Sequence, residues 1–348
     1  MKSIEKHLIN TKISVRETLS KLNELAADAI LFIVDDHQKL IGSLTDGDVR
    51  RGLIKGLGLE DDITSFIQNR PKFFRKGSFD FEQLEKLRSN NFKIIPVLDD
   101  DGRVVDIINF RFQKSYLPID AVIMAGGMGK RLMPLTANTP KPLLKVNNKP
   151  IVEYNIDRLK DFGVRNITLS VKYLGEQIED YFGNGSNKAL NINYVREIEP
   201  LGTIGAVNLI EEFKNDYVLV MNSDLLTNIN FEDMFRDLIT QQADMVVATI
   251  PYEVEIPYGI IETDGNKIIA LKEKPTYTYY SNAGIYIFKK EHVNVIPKDQ
   301  HFNATELIET LFSSNKKVIH HTIIGYWLDI GKHHDFEKAQ IDVGKIEF

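Results

Sequence analysis

AVIMAGGMGKRLMPL, residues 121–135, runs a short apolar strand straight into a glycine turn carrying two cations, and TPKPLLK follows at 139–145. A strand that ends in glycines offers backbone N–H groups to an anion. Lys130, Arg131 and Lys141 add positive charge at the same place. That make-up suits a nucleoside triphosphate. It is not the common phosphate loop, which needs a glycine where Met124 stands and Ser or Thr where Arg131 stands. It is not the dinucleotide fingerprint either. Gly127-Met128-Gly129 lacks the third glycine, because Leu132 holds its position, and this argues against an NAD-dependent oxidoreductase.

Composition narrows the setting of this turn. The 348 residues suffice for two domains, and 43% hydrophobic with 26% charged residues is ordinary for a soluble globular chain. A net charge of −6 argues against a nucleic-acid partner, so the anion site must be local. With no cysteine there is no disulfide, thiolate catalysis or cysteine-held zinc, and the eight histidines lack metal-ligand spacing. The N-terminus, MKSIEKHLINTKIS, has no apolar core of signal-peptide length, and no apolar run is long enough to span a membrane. A cytoplasmic protein is expected.

Beyond the turn, strands alternate with helices. Apolar patterning predicts strands at 120–124, 166–171, 190–195, 217–222 and 244–250, and helices near 150–162, 174–182, 203–213 and 231–241. This alternation implies a mostly parallel sheet. YGIIETDGNKIIALKEKP (258–275) instead predicts a hairpin about Asp264-Gly265, with a further strand at 281–288, so the sheet is mixed. Ligands bind outside the carboxyl ends of such strands. The glycine turn lies there, and so does Asp224, directly after the strand 217–222, where a carboxylate can hold Mg2+.

Gly126-Gly127-Met128-Gly129-Lys130-Arg131-Leu132-Met133-Pro134-Leu135-Thr136, followed by Pro140-Lys141-Pro142, resembles the signature of sugar-1-phosphate nucleotidyltransferases over roughly residues 119–345. Lys130 departs from that signature, standing where the family has Thr or Ser. The resemblance implies a Rossmann-like α/β fold with a mixed, mostly parallel sheet. It implies nucleotide binding by Ala125, Gly126, Gly127, Gly129 and Lys130, and by Pro200, Gly202 and Thr203 of the EIEPLGTIGAV run at 197–207, which would lie against the base. It makes Arg131, Lys141 and Asp224 catalytic, and it pairs Asp224 with Asp329, from Trp327-Leu328-Asp329-Ile330-Gly331, as ligands for Mg2+. It assigns the sugar phosphate to Tyr258, Gly259, Glu273, Lys274 and Asn282.

The N-terminal third repeats itself. Helical spacing at 15–26, a strand at 29–36 and strand, turn and helix at 39–56 are followed by a helix at 79–90, a strand and turn at 92–102 and a strand at 103–110. Two such copies are expected to pack face to face, because neither buries its apolar face alone. They resemble a pair of CBS domains, an α+β module. In the first copy, Gly42-Ser43-Leu44-Thr45-Asp46-Gly47-Asp48-Val49-Arg50 matches a G-x-x-T-x-x-D run, which by resemblance places Thr45 and Asp48 against an adenine-nucleotide effector. From the residues alone, Thr45 and Asp48 equally suit the N-terminus of a helix. The second copy, Val105 to Phe110, lacks the Thr and Asp. The expected division is 1–58 and 59–115 for the two CBS domains, a linker, and 119–348 for the nucleotidyltransferase domain.

The expected reaction joins a nucleoside triphosphate, GTP favoured, to a sugar 1-phosphate, giving a nucleotide sugar and pyrophosphate. The branch resembled takes mannose 1-phosphate. A CBS pair ahead of it resembles the arrangement that takes glucosamine 1-phosphate in nonulosonic (legionaminic) acid or surface-glycan synthesis. The alternatives are uridylyl or thymidylyl transfer to glucose 1-phosphate, and a non-catalytic nucleotide-sensing regulator. CBS pairs commonly dimerise, so a homo-oligomer is expected.

Overall fold

The computed structural model describes residues 2–77 and 80–346. The chain divides into two compact units, Met1–Pro118 with Lys160–Gly163, and Ile119–Leu159 with Val164–Phe348.

The N-terminal unit contains two halves of like topology. In the first, the strand Leu8–Asn10 pairs parallel with Ile30–Val34, which pairs antiparallel with Leu40–Thr45. In the second, Phe74–Arg75 pairs parallel with Ile94–Leu98, which pairs antiparallel with Val104–Asn109. Each half has one helix between its first two strands, Val15–Leu25 and Phe81–Ser89. Phe79, where the sequence pattern starts the second of these helices, lies outside the described residues. Val15, Leu22, Leu31 and Leu44 fill the first half, and Leu84, Leu87, Ile95 and Ile108 the second. Phe32 packs with Ile94 and Ile107, and Val34 with Leu98 and Val104, so the two halves share an apolar seam. They differ in one respect. The helix Asp46–Ile54 follows the last strand of the first half, whereas the last strand of the second half leads into turns.

The C-terminal unit is built on a seven-stranded sheet. Its order is Asn191–Arg196, Asn166–Val171, Ile119–Met124, Tyr217–Asn222, Thr276–Lys289, Met245–Glu255 and Val318–Thr322. The first four strands are mutually parallel, Thr276–Lys289 runs antiparallel to both neighbours, and Val318–Thr322 is parallel to Met245–Glu255. The sheet is therefore mixed and mostly parallel, as its βα alternation predicts. The inner strands are nearly continuous apolar runs because both faces are covered: Val122, Val218, Val220, Met245 and Phe288 lie in one core cluster with Leu307 and Leu311 of the helix Ala304–Ser313. From Ile119–Met124 the chain turns first to Asn166–Val171 on one side and later to Tyr217–Asn222 on the other. The switch point thus falls between Ile119–Met124 and Tyr217–Asn222.

The expected helix at 203–213 is absent. Residues Gly205–Leu209 form only a short 3-10 turn. The N–H groups of Ile204 and Gly205 donate to the Phe302 carbonyl at 3.2 and 3.1 Å, so the backbone leaves the helical ladder for a partner far along the chain. The predicted hairpin forms as Ile260–Asp264 and Lys267–Lys272, and the strand expected at 281–288 begins earlier, at Thr276. Among the described residues, no helix is long and apolar enough to cross a membrane.

Candidate active site

The switch point opens into a cavity of about 500 Å3 lined by the glycine turn, by Arg131 and Lys141, by Pro200, Gly202 and Thr203, and by Asn222, Ser223 and Asp224. Its floor is set by two strand ends. Ser223 N–H donates to the Met124 carbonyl at 3.2 Å, and Ala125 N–H donates to the Ser170 carbonyl at 2.8 Å. Ala125 is thereby a buried support, while Gly126, Gly127, Gly129 and Lys130 face the cavity. Two glycines are required by space. A Cβ on Gly126 would stand 2.7 Å from Glu197 Oε1, and one on Gly129, at φ +60°, 2.9 Å from Thr136 Cγ2.

Across the cavity, the loop 200–203 is held from two sides. Leu201 N–H donates to Glu197 Oε2 at 3.0 Å, while Glu197 Oε1 accepts the Ser170 hydroxyl proton. Gly202, at φ +79°, lies so near Phe302 that a Cβ would come within 2.6 Å of the Phe302 carbonyl oxygen. Thr203 does not cap a local helix. Its Oγ1 accepts from Ala304 N–H at 2.9 Å, at the start of the helix Ala304–Ser313. Glu197, Lys172, Asn222, Ser223 and His301 also line the cavity without having been assigned a role from sequence. Glu197 had a visible signal: an acid directly after a strand and before Pro-Leu-Gly.

Asp224 and Asp329 converge. The short strands Leu225–Thr227 and Trp327–Asp329 pair antiparallel with Leu225 opposite Asp329, and Ile330 N–H donates to the Asp224 carbonyl at 3.0 Å. Lys141, 8% exposed, forms an ion pair with Asp224. Oδ1 of Asp224 and Oδ1 of Asp329 are both buried without a hydrogen-bond partner. Burial and the Asp224 carboxylate push Asp329 above the usual carboxylate range, against the pull of Lys141 and Arg131. A Cβ on Gly331 would lie 3.6 Å from the Arg131 guanidinium, so Arg131 reaches the same corner. Two neighbouring carboxylates, each with a dry and unsatisfied oxygen, are a donor set suited to a hard divalent cation.

The sugar-side residues are placed differently. Asn282 lies where the strand Thr276–Lys289 reaches the sheet: its Oδ1 accepts from Gly284 N–H at 2.9 Å and from the Tyr286 hydroxyl at 3.0 Å. Trp327 Nε1–H, donating to the Ala283 carbonyl at 3.0 Å, ties this segment to the strand bearing Asp329. Tyr258, Gly259, Glu273 and Lys274 sit farther out at the root of the hairpin, outside the lining of the cavity. Tyr258 is 74% exposed there.

Two other clusters have their polar groups engaged within the protein. Asp244, Glu291 and His292 lie close enough to hold an ion. However, Asp244 already accepts from Lys289 Nζ, the Lys317 N–H and the His292 ring at 3.0 Å each. Burial raises the Asp244 pKa, but these partners outweigh it and hold the group at about 2. In the N-terminal unit, Thr45 and Asp48 form a capping box on the helix Asp46–Ile54. Asp48 Oδ2 accepts from Thr45 N–H and Oγ1–H at 2.8 and 2.6 Å, and Oδ1 from Arg51 at 2.5 Å, so the cap engages both carboxylate oxygens.

A glycine anion loop and an acidic pair at the switch point of a mixed α/β sheet define a class of enzymes that work on nucleotide phosphates. The chain matches the family model described as "Nucleotidyl transferase" over residues 120–345, and it belongs to that family. It is similar to D-glycero-alpha-D-manno-heptose 1-phosphate guanylyltransferase of Aneurinibacillus thermoaerophilus, 33% identical over 64% of this chain and 97% of the relative. It is also similar to mannose-1-phosphate guanylyltransferase of Mycobacterium tuberculosis, 29% identical over 65% of this chain; the match spans 64% of that relative's length. HddC from Yersinia pseudotuberculosis superposes with a TM-score of 0.50 at 26% identity, over 64% of this chain and 99% of HddC. A sucrose-bound Bacillus anthracis protein shares the fold, with a TM-score of 0.54 at 23% identity over 66% of this chain and 97% of its own.

Proposed function

We propose that the chain transfers a nucleoside monophosphate group from GTP to a sugar 1-phosphate, releasing pyrophosphate and a GDP-sugar. The observation that carries this reading is the meeting, in one cavity, of the glycine turn, Arg131, Lys141 and Asp224, with Asp329 on the strand paired beside Asp224 and a buried oxygen of each carboxylate unsatisfied. The guanylyltransferase names of the two curated relatives support GTP. For the acceptor, mannose 1-phosphate and glucosamine 1-phosphate are the candidates, and a heptose 1-phosphate joins them through the first relative.

The reaction needs no strong base, because the attacking sugar-phosphate oxygen is already anionic. That oxygen forms a bond to the α-phosphorus as the bond from the α-phosphorus to the bridging oxygen breaks, and pyrophosphate carries the electron pair away. Catalysis is positioning and charge neutralisation. The N–H groups of Gly126–Gly129 and Lys130 hold the triphosphate. Arg131 neutralises the departing pyrophosphate, and Lys141 offsets the repulsion between the two substrates' phosphates. Gly202 and Thr203 present a flat backbone edge to the base, with Pro200 fixing the loop. Asn282 faces the sugar, and Tyr258, Gly259, Glu273 and Lys274 complete its side. Asp224 and Asp329 would hold Mg2+, which when bound supplies positive charge at the α-phosphate.

For the N-terminal unit, the duplicated topology supports a CBS-type pair, with an adenine nucleotide as the effector. Pyrophosphate release, measured with Mg2+ and each of GTP, UTP, dTTP, CTP and ATP against mannose, glucosamine, heptose and glucose 1-phosphates, tests the catalytic reading. GTP with one sugar phosphate should dominate. Activity confined to UTP or dTTP would overturn the base assignment, and no release with any pair would overturn the transfer itself.

A further inference from the structure

Beside the loop 197–203 the cavity carries a lysine to which the phosphate chemistry gives no task. Lys172 follows directly on the strand Asn166–Val171 and lines the cavity. Glu197 N–H donates to the Val171 carbonyl at 3.0 Å, so Lys172 and the loop leave the sheet side by side. The residue after it is anchored as well: the Tyr173 hydroxyl lies 3.1 and 3.0 Å from the Thr136 and Ala137 carbonyl oxygens. A Cβ on Gly126 would stand 3.4 Å from Lys172 Cβ, so the stem of the lysine passes against the start of the glycine turn. Its head turns to the loop, where Nζ donates to the Ile198 carbonyl at 2.5 Å. The ammonium is therefore tethered to the segment that leads into Pro200 and Gly202, the residues set against the base in the mechanism above.

Hydrogen-bonding capacity singles Lys172 out. The other polar side chains around this loop that line the cavity are Glu197, Thr203 and His301. Glu197 has both oxygens engaged, by Leu201 N–H and by the Ser170 hydroxyl, and Thr203 Oγ1 accepts from Ala304 N–H. A threonine hydroxyl and an imidazole can each donate or accept, so neither selects one edge of a base by sign. An ammonium carries donors only, three of them, and the Ile198 carbonyl takes one. The Glu199 carboxylate stands 3.8 Å from Nζ with its side chain 85% exposed, which leaves that ion pair weak. Donors thus remain on Lys172 for a ligand with paired acceptors.

We propose that Lys172 reads the base, donating to the O6 and N7 acceptors of guanine. The inference rests on the guanylyl-transfer reading. Guanine shows two adjacent acceptors on that edge, and lysine is suited to meet them. Adenine places an amino group where guanine has O6, so donor would face donor, and the 4-amino group of cytosine does the same. Uracil and thymine keep an acceptor at the corresponding position. Lys172 therefore turns away ATP and CTP, but not, by itself, UTP and dTTP.

The test pairs this side chain with one atom of the base. The full-length protein and Lys172→Met are compared in kcat/KM for GTP and for 2-aminopurine riboside triphosphate, which keeps N7 and the 2-amino group but lacks O6. The parent should prefer GTP at least about tenfold, and Lys172→Met should lower that preference at least about fivefold, the lower bound for a good lysine–guanine contact. Lys172→Met also removes the bond to Ile198, but a loosened loop weakens both nucleotides alike and leaves their ratio unmoved. A parent that uses the two nucleotides equally overturns the assignment without any variant. A ratio that Lys172→Met leaves unchanged overturns it too, while turnover of GTP keeps guanylyl transfer standing. A parent that turns over UTP or dTTP and not GTP overturns guanylyl transfer, and the proposal with it.

Discussion

Lys141→Met isolates the electrostatics of the acidic corner. Lys141 is nearly buried and forms the direct ion pair with Asp224, whose neighbour Asp329 is already pushed toward its protonated form. Removing one member of a buried pair leaves an uncompensated charge, at a cost of about 3–5 kcal/mol. The Asp224 side chain keeps 20% exposure, which places the loss near the lower end, about 3 kcal/mol. For a unit of this size that is a fall of about 6–12 °C in the melting temperature. The assay is scanning calorimetry of the C-terminal unit's transition, with EDTA and then with millimolar Mg2+. In EDTA the variant should melt well below the parent, and adding Asp224→Asn should restore most of the loss by removing the stranded charge. Mg2+ should raise the melting temperature of the single variant more than that of the parent, since the metal then replaces the direct partner that Asp224 has lost. A melting temperature within about 2 °C of the parent in EDTA, or no recovery on adding Asp224→Asn, would refute the reasoning.

Three further outcomes are expected. Arg131→Ala should lower kcat/KM by about 10²–10⁴ with an unchanged melting temperature, because the guanidinium is exposed and, in the proposed mechanism, meets the leaving group; near-parental turnover would remove it from that role. The folded pKa of Asp329 is raised, so its charge costs stability: the apo protein is favoured below the ordinary value of 3.8 and loses that advantage as pH rises through the folded pKa. At neutral pH without metal, Asp329→Asn should therefore melt higher than the parent while losing Mg2+-dependent stabilisation, and a lower melting temperature contradicts this. Gly202→Ala, forced into φ +79° and against the Phe302 carbonyl, should raise the KM for the nucleotide at least about tenfold with a smaller effect on the KM for the sugar phosphate. Equal effects on both would place the loop away from the base.

Much of the C-terminal unit was legible because its strands are long apolar runs bounded by glycine and acid, and the hairpin was announced by Asp264-Gly265. The turn at 126–131 and the step to Asp224 were legible for a related reason: a buried parallel strand puts its next residues at the sheet's carboxyl edge whatever lies between. The pairing of Asp224 with Asp329 needed the family resemblance, since no local pattern announces that Leu225 will lie opposite Asp329. The helix expected after Thr203 failed because tertiary hydrogen bonds to Phe302 outcompeted a helical pattern weakened by Gly205. The same long-range contact gave Thr203 a different helix to cap. In the N-terminal unit, Thr45 and Asp48 fit a ligand motif and a helix cap equally well in sequence, and the observed hydrogen bonds realise the cap.

The decisive measurement follows the label from GTP carrying ³²P at the α-position, with Mg2+ and the preferred sugar 1-phosphate. Label recovered in a GDP-sugar, with an equal amount of unlabelled pyrophosphate, is the expected result, and Arg131→Ala should suppress both together. Label released as GMP or GDP without a sugar, or retained in GTP while the protein binds it, would contradict transfer at the α-phosphorus.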